Sequence, residues 1–185
     1  MTIPGDVPNA AAGGMYQGDP DPSCPGLEIP GWMTETEMRW LHFNAQYMNS
    51  IVEIGSLIGR SSAALLSACK GLVYCIDCWT GDNAGGKNYF LGNVGHYPNL
   101  RMIHDYSHNV VNAVPEVDMV FIDGEHTPEA VGQDITDWFP KTLRLICGHD
   151  YGHPDYPGVK RLVDDIFQGG FGIAPGTSIW YVQIS

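Results

Sequence analysis

The sequence predicts an α/β fold: a doubly wound, mostly parallel seven-stranded sheet with an antiparallel C-terminal strand. Three observations predict it. Short apolar runs alternate with helix-period segments from Ile51 to Phe167, as expected of parallel strands joined by crossover helices. The first five runs all end in polar residues, at Glu53, Asp77, Asp105, Asp123 and His149-Asp150. In an open α/β sheet, ligands gather beyond those carboxyl ends. The last two runs, 171–174 and 178–184, are joined by Pro175-Gly176, which predicts an antiparallel pair.

The elements follow in order. Residues 1–31 are dominated by Gly, Pro, Asp and Ala and cannot bury enough apolar surface for a core of their own. They are expected to form a flexible arm, with one domain over 32–185. Thr34-Glu35-Thr36-Glu37 is a capping box, and Met38, Leu41, Ala45 and Met48 continue it at helical spacing. Strands are expected over 51–54, 72–76, 100–103, 117–122 and 143–147. Helices are expected over 61–69, 127–139 and 159–167. The Gly- and Asn-rich stretch 79–98 predicts a loop with one short helix near Lys87–Leu91.

Composition narrows the function. The 185 residues carry 9 Lys+Arg against 21 Asp+Glu, a net charge of −12. A nucleic-acid binder needs a basic footprint, and the same imbalance opposes docking on anionic membranes. No apolar run reaches the length of a span, and the N-terminus lacks a signal-peptide pattern. A cytoplasmic location is expected, with buried reduced thiols for most of the five cysteines. Cys75 and Cys78 have CxxC spacing without a second pair to complete a zinc site.

The first turn reads Glu53-Ile54-Gly55-Ser56-Leu57-Ile58-Gly59-Arg60-Ser61-Ser62. Gly55 permits a tight turn and close approach of a ligand. Gly59 and Arg60 fall where the next helix starts, with amides able to face that ligand. Glu53 is a candidate acceptor for an ammonium group. The turn lacks the middle Gly of a dinucleotide fingerprint and the Lys of a phosphate loop. Asp77, 22 residues after Gly55, can accept both hydroxyls of a ribose. His149 and His126 are candidate bases, since imidazole titrates nearest neutrality. The His104, His108, His153 and His96 imidazoles are weaker candidates. Trp138 and Trp180 read as packing, and Trp79 as a wall of the cofactor pocket.

Together, the first turn, Cys75-Ile76-Asp77, Val120 to His126, Gly148 to Tyr151 and Pro157-Gly158-Val159-Lys160 resemble the Rossmann-like class I S-adenosylmethionine-dependent methyltransferases. The resemblance covers residues 33–185 and is nearest to the catechol-type and macrocin-type O-methyltransferases. It implies a small-molecule acceptor and a cofactor lying along Gly55, Ser56 and Ser61. Asp77 would hold the ribose, and Tyr106 and Ser107 would border the adenine. It also implies a divalent metal such as magnesium or manganese between Asp123 and the pair His149-Asp150. His149 departs from the acidic or amide residue expected there and would favour a transition metal. Three readings stay open: an O-methyltransferase, a binding domain with other chemistry or none, and a NAD-dependent dehydrogenase. A pocket completed by a second subunit, in a homo-oligomer, would fit the small number of residues left for a lid.

Overall fold

The computed structural model describes residues 23–184. Six helices and seven strands alternate along it: α1 (Glu35–Ala45), β1 (Ser50–Ile54), α2 (Arg60–Ala68), β2 (Leu72–Asp77), α3 (Gly86–Val94), β3 (Leu100–His104), α4 (Ser107–Val110), β4 (Val117–Ile122), α5 (Pro128–Trp138), β5 (Thr142–Gly148), α6 (Pro157–Phe167), β6 (Gly172–Ile173) and β7 (Trp180–Gln183). The strands form one sheet in the order β3-β2-β1-β4-β5-β7-β6. The first five run parallel, and β7 pairs antiparallel with both β5 and β6.

The order reverses at β1, from which the chain builds first toward β3 and then toward β5. Such a reversal opens a crevice at the carboxyl ends of the two central strands. Both faces of the sheet are covered, as a parallel sheet requires. One layer packs Trp40, Leu41, Leu65, Phe90 and Phe121 with α1, α2 and α3. The other packs Val120, Ile135, Trp138, Val163 and Trp180 with α5 and α6.

Local chemistry sets the ends of these elements. The capping box at Thr34 and Glu37 is complete in both directions. Thr127 caps α5 by accepting from the Ala130 amide, with Pro128 in the first turn. The last position of β5 is glycine because a Cβ at Gly148 would come within 2.5 Å of the Trp180 ring on β7.

One expectation is extended and another corrected. The short helix expected near Lys87–Leu91 within 79–98 is present as α3 and runs to nine residues. Buried Phe90 and Val94 outweigh the poor propensity of its glycines. Residues 23–31 are no loose arm. Cys24 and Ile29 are buried in the core, and the Arg60 guanidinium donates to the carbonyls of Gly26, Leu27 and Ile29 while its Nε donates to Met33. The remainder of the expected arm, 1–22, lies outside the described residues.

Candidate functional site

The site starts at the turn after β1. Gly55 has a left-handed φ of 90°, and a Cβ on it would collide with the Asp123 carbonyl and press on Gly124. The β1 and β4 tips therefore touch through bare backbone. Asp77, at the tip of β2, faces the same turn. Its Oδ2 accepts from the Leu57 amide at 2.8 Å and its Oδ1 from the Trp79 amide at 2.7 Å. Trp79 closes the knot by donating Nε1–H to the Leu57 carbonyl at 2.6 Å. Leu57 and Trp79 both adopt left-handed φ, 44° and 40°, a strained state for such residues.

Charge collects at the tips of β4 and β5. His149 Nδ1 lies 3.2 Å from Asp150 Oδ1 and 3.4 Å from Asp123 Oδ1, and its Nε2 lies 3.2 Å from Glu37 Oε1. His126 Nε2 lies 2.9 Å from Asp150 Oδ2 and 3.9 Å from Asp123 Oδ1. Asp150 is held at a left-handed φ of 63°, which an aspartate tolerates. Burial disfavours charge on His149, but the contacts with Asp123, Asp150 and Glu37 outweigh it and push the imidazole up to about 12. Burial likewise opposes the charge on Asp150, yet His126 and His149 hold its carboxyl well below the usual range. Asp150 is also the main reason that His126 is raised. Asp123, His126, His149 and Asp150 share one concavity with Val131, Val159 and Trp180.

Glycine turn, strand-end carboxylate and strand order meet at one crevice, and comparison with known proteins gives this architecture its family. A family model described as a methyltransferase domain matches residues 52–151, from β1 to just past β5. The chain belongs to the methyltransferase-domain family. No curated protein matches it in sequence. Solved methyltransferases share its fold at low identity. The O-methyltransferase from Bacillus cereus, in complex with SAH, is 15% identical with a TM-score of 0.62, over 82% of each chain. The O-methyltransferase TomG from Streptomyces achromogenes, in complex with SAM, is 17% identical with a TM-score of 0.58, over 78% of each chain. An rRNA methylase from Streptococcus thermophilus is 15% identical with a TM-score of 0.59, over 84% of this chain and all of that one. The fold is thus that of the class I S-adenosylmethionine-dependent methyltransferases.

Within this methyltransferase, several expected site residues are occupied elsewhere. Glu53 is fully buried, and the hydroxyls of Ser56, Ser61 and Ser62 all donate to it. Burial raises its carboxyl against those bonds. It is a buried hub under the turn, so Ser56 and Ser61 spend their side chains there and not on an open crevice. The Gly59 amide donates to the Ser56 carbonyl at 2.8 Å; the Arg60 side chain points back to residues 26–33, which leaves the expectation for its backbone amide as it was. Trp79 is buried against Phe90 and His104. Ser107 donates to Asp134 of α5, while Tyr106 is exposed and stacks on His108. Cys75 and Cys78 are unbridged thiols, and burial pushes Cys75 well up.

The carboxylates and imidazoles that meet most closely differ by one member from the expected metal set. His149 Nδ1 faces Asp123 and Asp150, and its Nε2 faces Glu37. Asp123, His126 and Asp150 instead offer atoms that all lie within 4.8 Å of one another. Glu37 is the residue that sequence reasoning missed. It was legible as a helix cap, and nothing local signalled that it also reaches His149 from 112 positions away.

Proposed function

We propose that this methyltransferase moves the methyl group of S-adenosylmethionine to a hydroxyl of a small acceptor held against the tips of β4 and β5. The observation that carries the reading is the Asp150–His126 pair beside Asp123, in a concavity that adjoins the Gly55 turn. The cofactor would lie along the backbone of Gly55 and Leu57 toward Asp77, whose carboxylate keeps lone pairs for a ribose after serving two amides. Tyr106 would border the adenine.

The transfer is an in-line displacement: the acceptor oxygen bonds to the methyl carbon as the carbon–sulfur bond breaks. The cofactor supplies the leaving group, so the protein supplies alignment and a place for the acceptor's proton. His126 suits that last role. Its Nε2 is turned to Asp150, leaving Nδ1 to accept a proton, and it is the more exposed of the two imidazoles. His149 suits the role less, because its contacts with Asp123, Asp150 and Glu37 favour the charged ring against burial. It holds Asp123 and Asp150 in place. A net charge of −12 supports a small acceptor over RNA.

A second reading rests on the same atoms. Two carboxylates and an imidazole suit a divalent transition metal such as manganese better than magnesium or calcium. Asp123, His126 and Asp150 would hold it. When bound, such a metal lowers the pKa of an acceptor hydroxyl.

Titration calorimetry with S-adenosylhomocysteine and with NAD tests the cofactor, and binding of NAD alone would reject the proposal. Methyl transfer to a panel of hydroxylated acceptors tests the reaction. His126→Gln is expected to lower kcat about a hundredfold or more while leaving cofactor affinity within about twofold. Because Asp150 raises the His126 pKa, the rising limb of the pH–rate profile belongs above the ordinary imidazole value of about 6.5. Activity that survives EDTA gives the proton to His126. Activity lost to EDTA and restored by manganese gives it to the metal reading.

A further inference from the structure

The first turn of α1 is far in sequence from the tips of β4 and β5, yet it reaches into the site they form. Glu37 is buried and tethered at both oxygens. Its Oε2 accepts from the Thr34 amide at 2.8 Å and the Thr34 hydroxyl at 2.9 Å. Its Oε1 accepts from the Ser178 amide at 3.0 Å and the Ser178 hydroxyl at 2.9 Å. A capping-box glutamate needs only the first of these sets. The second tether, to the residue two before β7, fixes Oε1 where it meets His149 Nε2 at 3.2 Å.

The opposite edge of the same ring faces Asp123 and Asp150. His149 Nε2 is buried and makes no well-aligned hydrogen bond, so what opposes it is the Glu37 carboxylate. An imidazole gripped at both edges has one ring orientation. With the Nε2 side released, the ring can turn, and Asp123 and Asp150 lose their shared anchor.

We infer that Glu37 is a positioning residue for methyl transfer, held by Ser178 and the Thr34 backbone amide so that His149 keeps Asp123 and Asp150 in register for the acceptor. The inference rests on the proposed reaction for its consequence, but the grip on His149 is measurable without it. The Glu37 contacts also close a link between the N-terminal helix, the β5 tip and the segment leading into β7. Three distant stretches of chain thereby set one side chain.

The test compares Glu37→Gln with Thr34→Ala. Glutamine removes the charge facing His149 and can satisfy only one of the two tethers. The alanine loosens the same helix turn with Glu37 intact. Nitrogen-15 spectra of the histidine rings provide a readout free of catalysis. Glu37→Gln is expected to shift the ring nitrogens of His149, and Thr34→Ala to leave them in place. In turnover, Glu37→Gln is expected to lower kcat about tenfold or more, with affinity for S-adenosylhomocysteine within about twofold. Combined with His149→Asn, it is expected to add no further loss. Unchanged His149 ring signals in Glu37→Gln would overturn the inference. So would equal effects of the two variants, or an additive double variant. If Glu37→Gln does not fold, Glu37→Asp, which keeps the charge but withdraws it from the ring, is read in the same way. Absence of any methyl transfer by the wild-type protein would sink the proposed reaction, and the ring spectra would still decide the grip.

Discussion

Asp134 shows how one buried carboxyl couples the crevice rim to pH. It sits on α5, buried, and accepts from the Ser107 hydroxyl at the start of α4. Burial raises its pKa from 3.8 to about 6, against the Ser107 bond. A raised folded-state pKa means that the folded protein binds the proton more tightly than the unfolded chain. The resulting stability is fully present below about 3.8 and is lost as pH rises through about 6. Asp134→Asn keeps an oxygen for Ser107 and does not titrate. Relative to wild type it is expected to gain about 2–3 kcal/mol between pH 4 and pH 7.5, read from urea melts at the two pH values. A constant difference across that range would show that the carboxyl ionises as freely as in water. Nothing local marked this pair, because its two members stand 27 positions apart on different elements. Glu53 was misread for a related reason. Its place at a strand end was legible, but whether its side chain faced the crevice or the core depended on where three serines of the next turn and helix would go.

At the scale of elements, caps and periodicities were legible because they are local. The Thr34 box, the Thr127-Pro128 start and the period-2 strands involve neighbours within a few residues. Arg60 was not legible. Its partners are backbone carbonyls in a Pro- and Gly-rich stretch, which carry no signature of their own, so its position at the start of α2 pointed only to a role for its backbone amide. In the structure it pins residues 26–33 onto α2 instead. Hydrogen bonds from a charged donor contribute about 1.5–3 kcal/mol each when lost singly, and shared partners make the sum smaller. Arg60→Ala is therefore expected to cost about 2–4 kcal/mol and to open the segment before Met33 to proteolysis. Affinity for S-adenosylhomocysteine is expected to stay within about threefold. Limited proteolysis beside calorimetry checks both halves, and a large loss of affinity with the segment still protected would return Arg60 to the ligand.

For the whole molecule, alternation of strands and helices predicted a parallel sheet, but no residue states that β1 lies between β2 and β4. That order follows from packing two helix layers around β1, and it alone brings Gly55, Asp77 and Asp123 to one rim. The amino ends of the strands form a separate rim, where Asp118 of β4 accepts from the Asn49 amide and side chain at 2.6 and 3.2 Å. The two rims make opposite predictions. A ligand that binds only the folded state at a hundred times its Kd stabilises by about 2.7 kcal/mol, which for a chain of this size raises the melting temperature by roughly 5–10 °C. S-adenosylhomocysteine is expected to do this for wild type. Gly55→Ala puts a methyl group against the Asp123 carbonyl at a left-handed φ, so it should lower the melting temperature and abolish the ligand-induced rise together. Asp118→Ala should lower the melting temperature, since it removes the one carboxylate oxygen that accepts two hydrogen bonds from Asn49, yet keep the full rise. Differential scanning fluorimetry with and without the ligand separates the two. Loss of the rise in Asp118→Ala, or its survival in Gly55→Ala, would mean that the ligand does not sit at the carboxyl rim, and the roles proposed for Asp77, Asp123, His126 and Asp150 would fail with it.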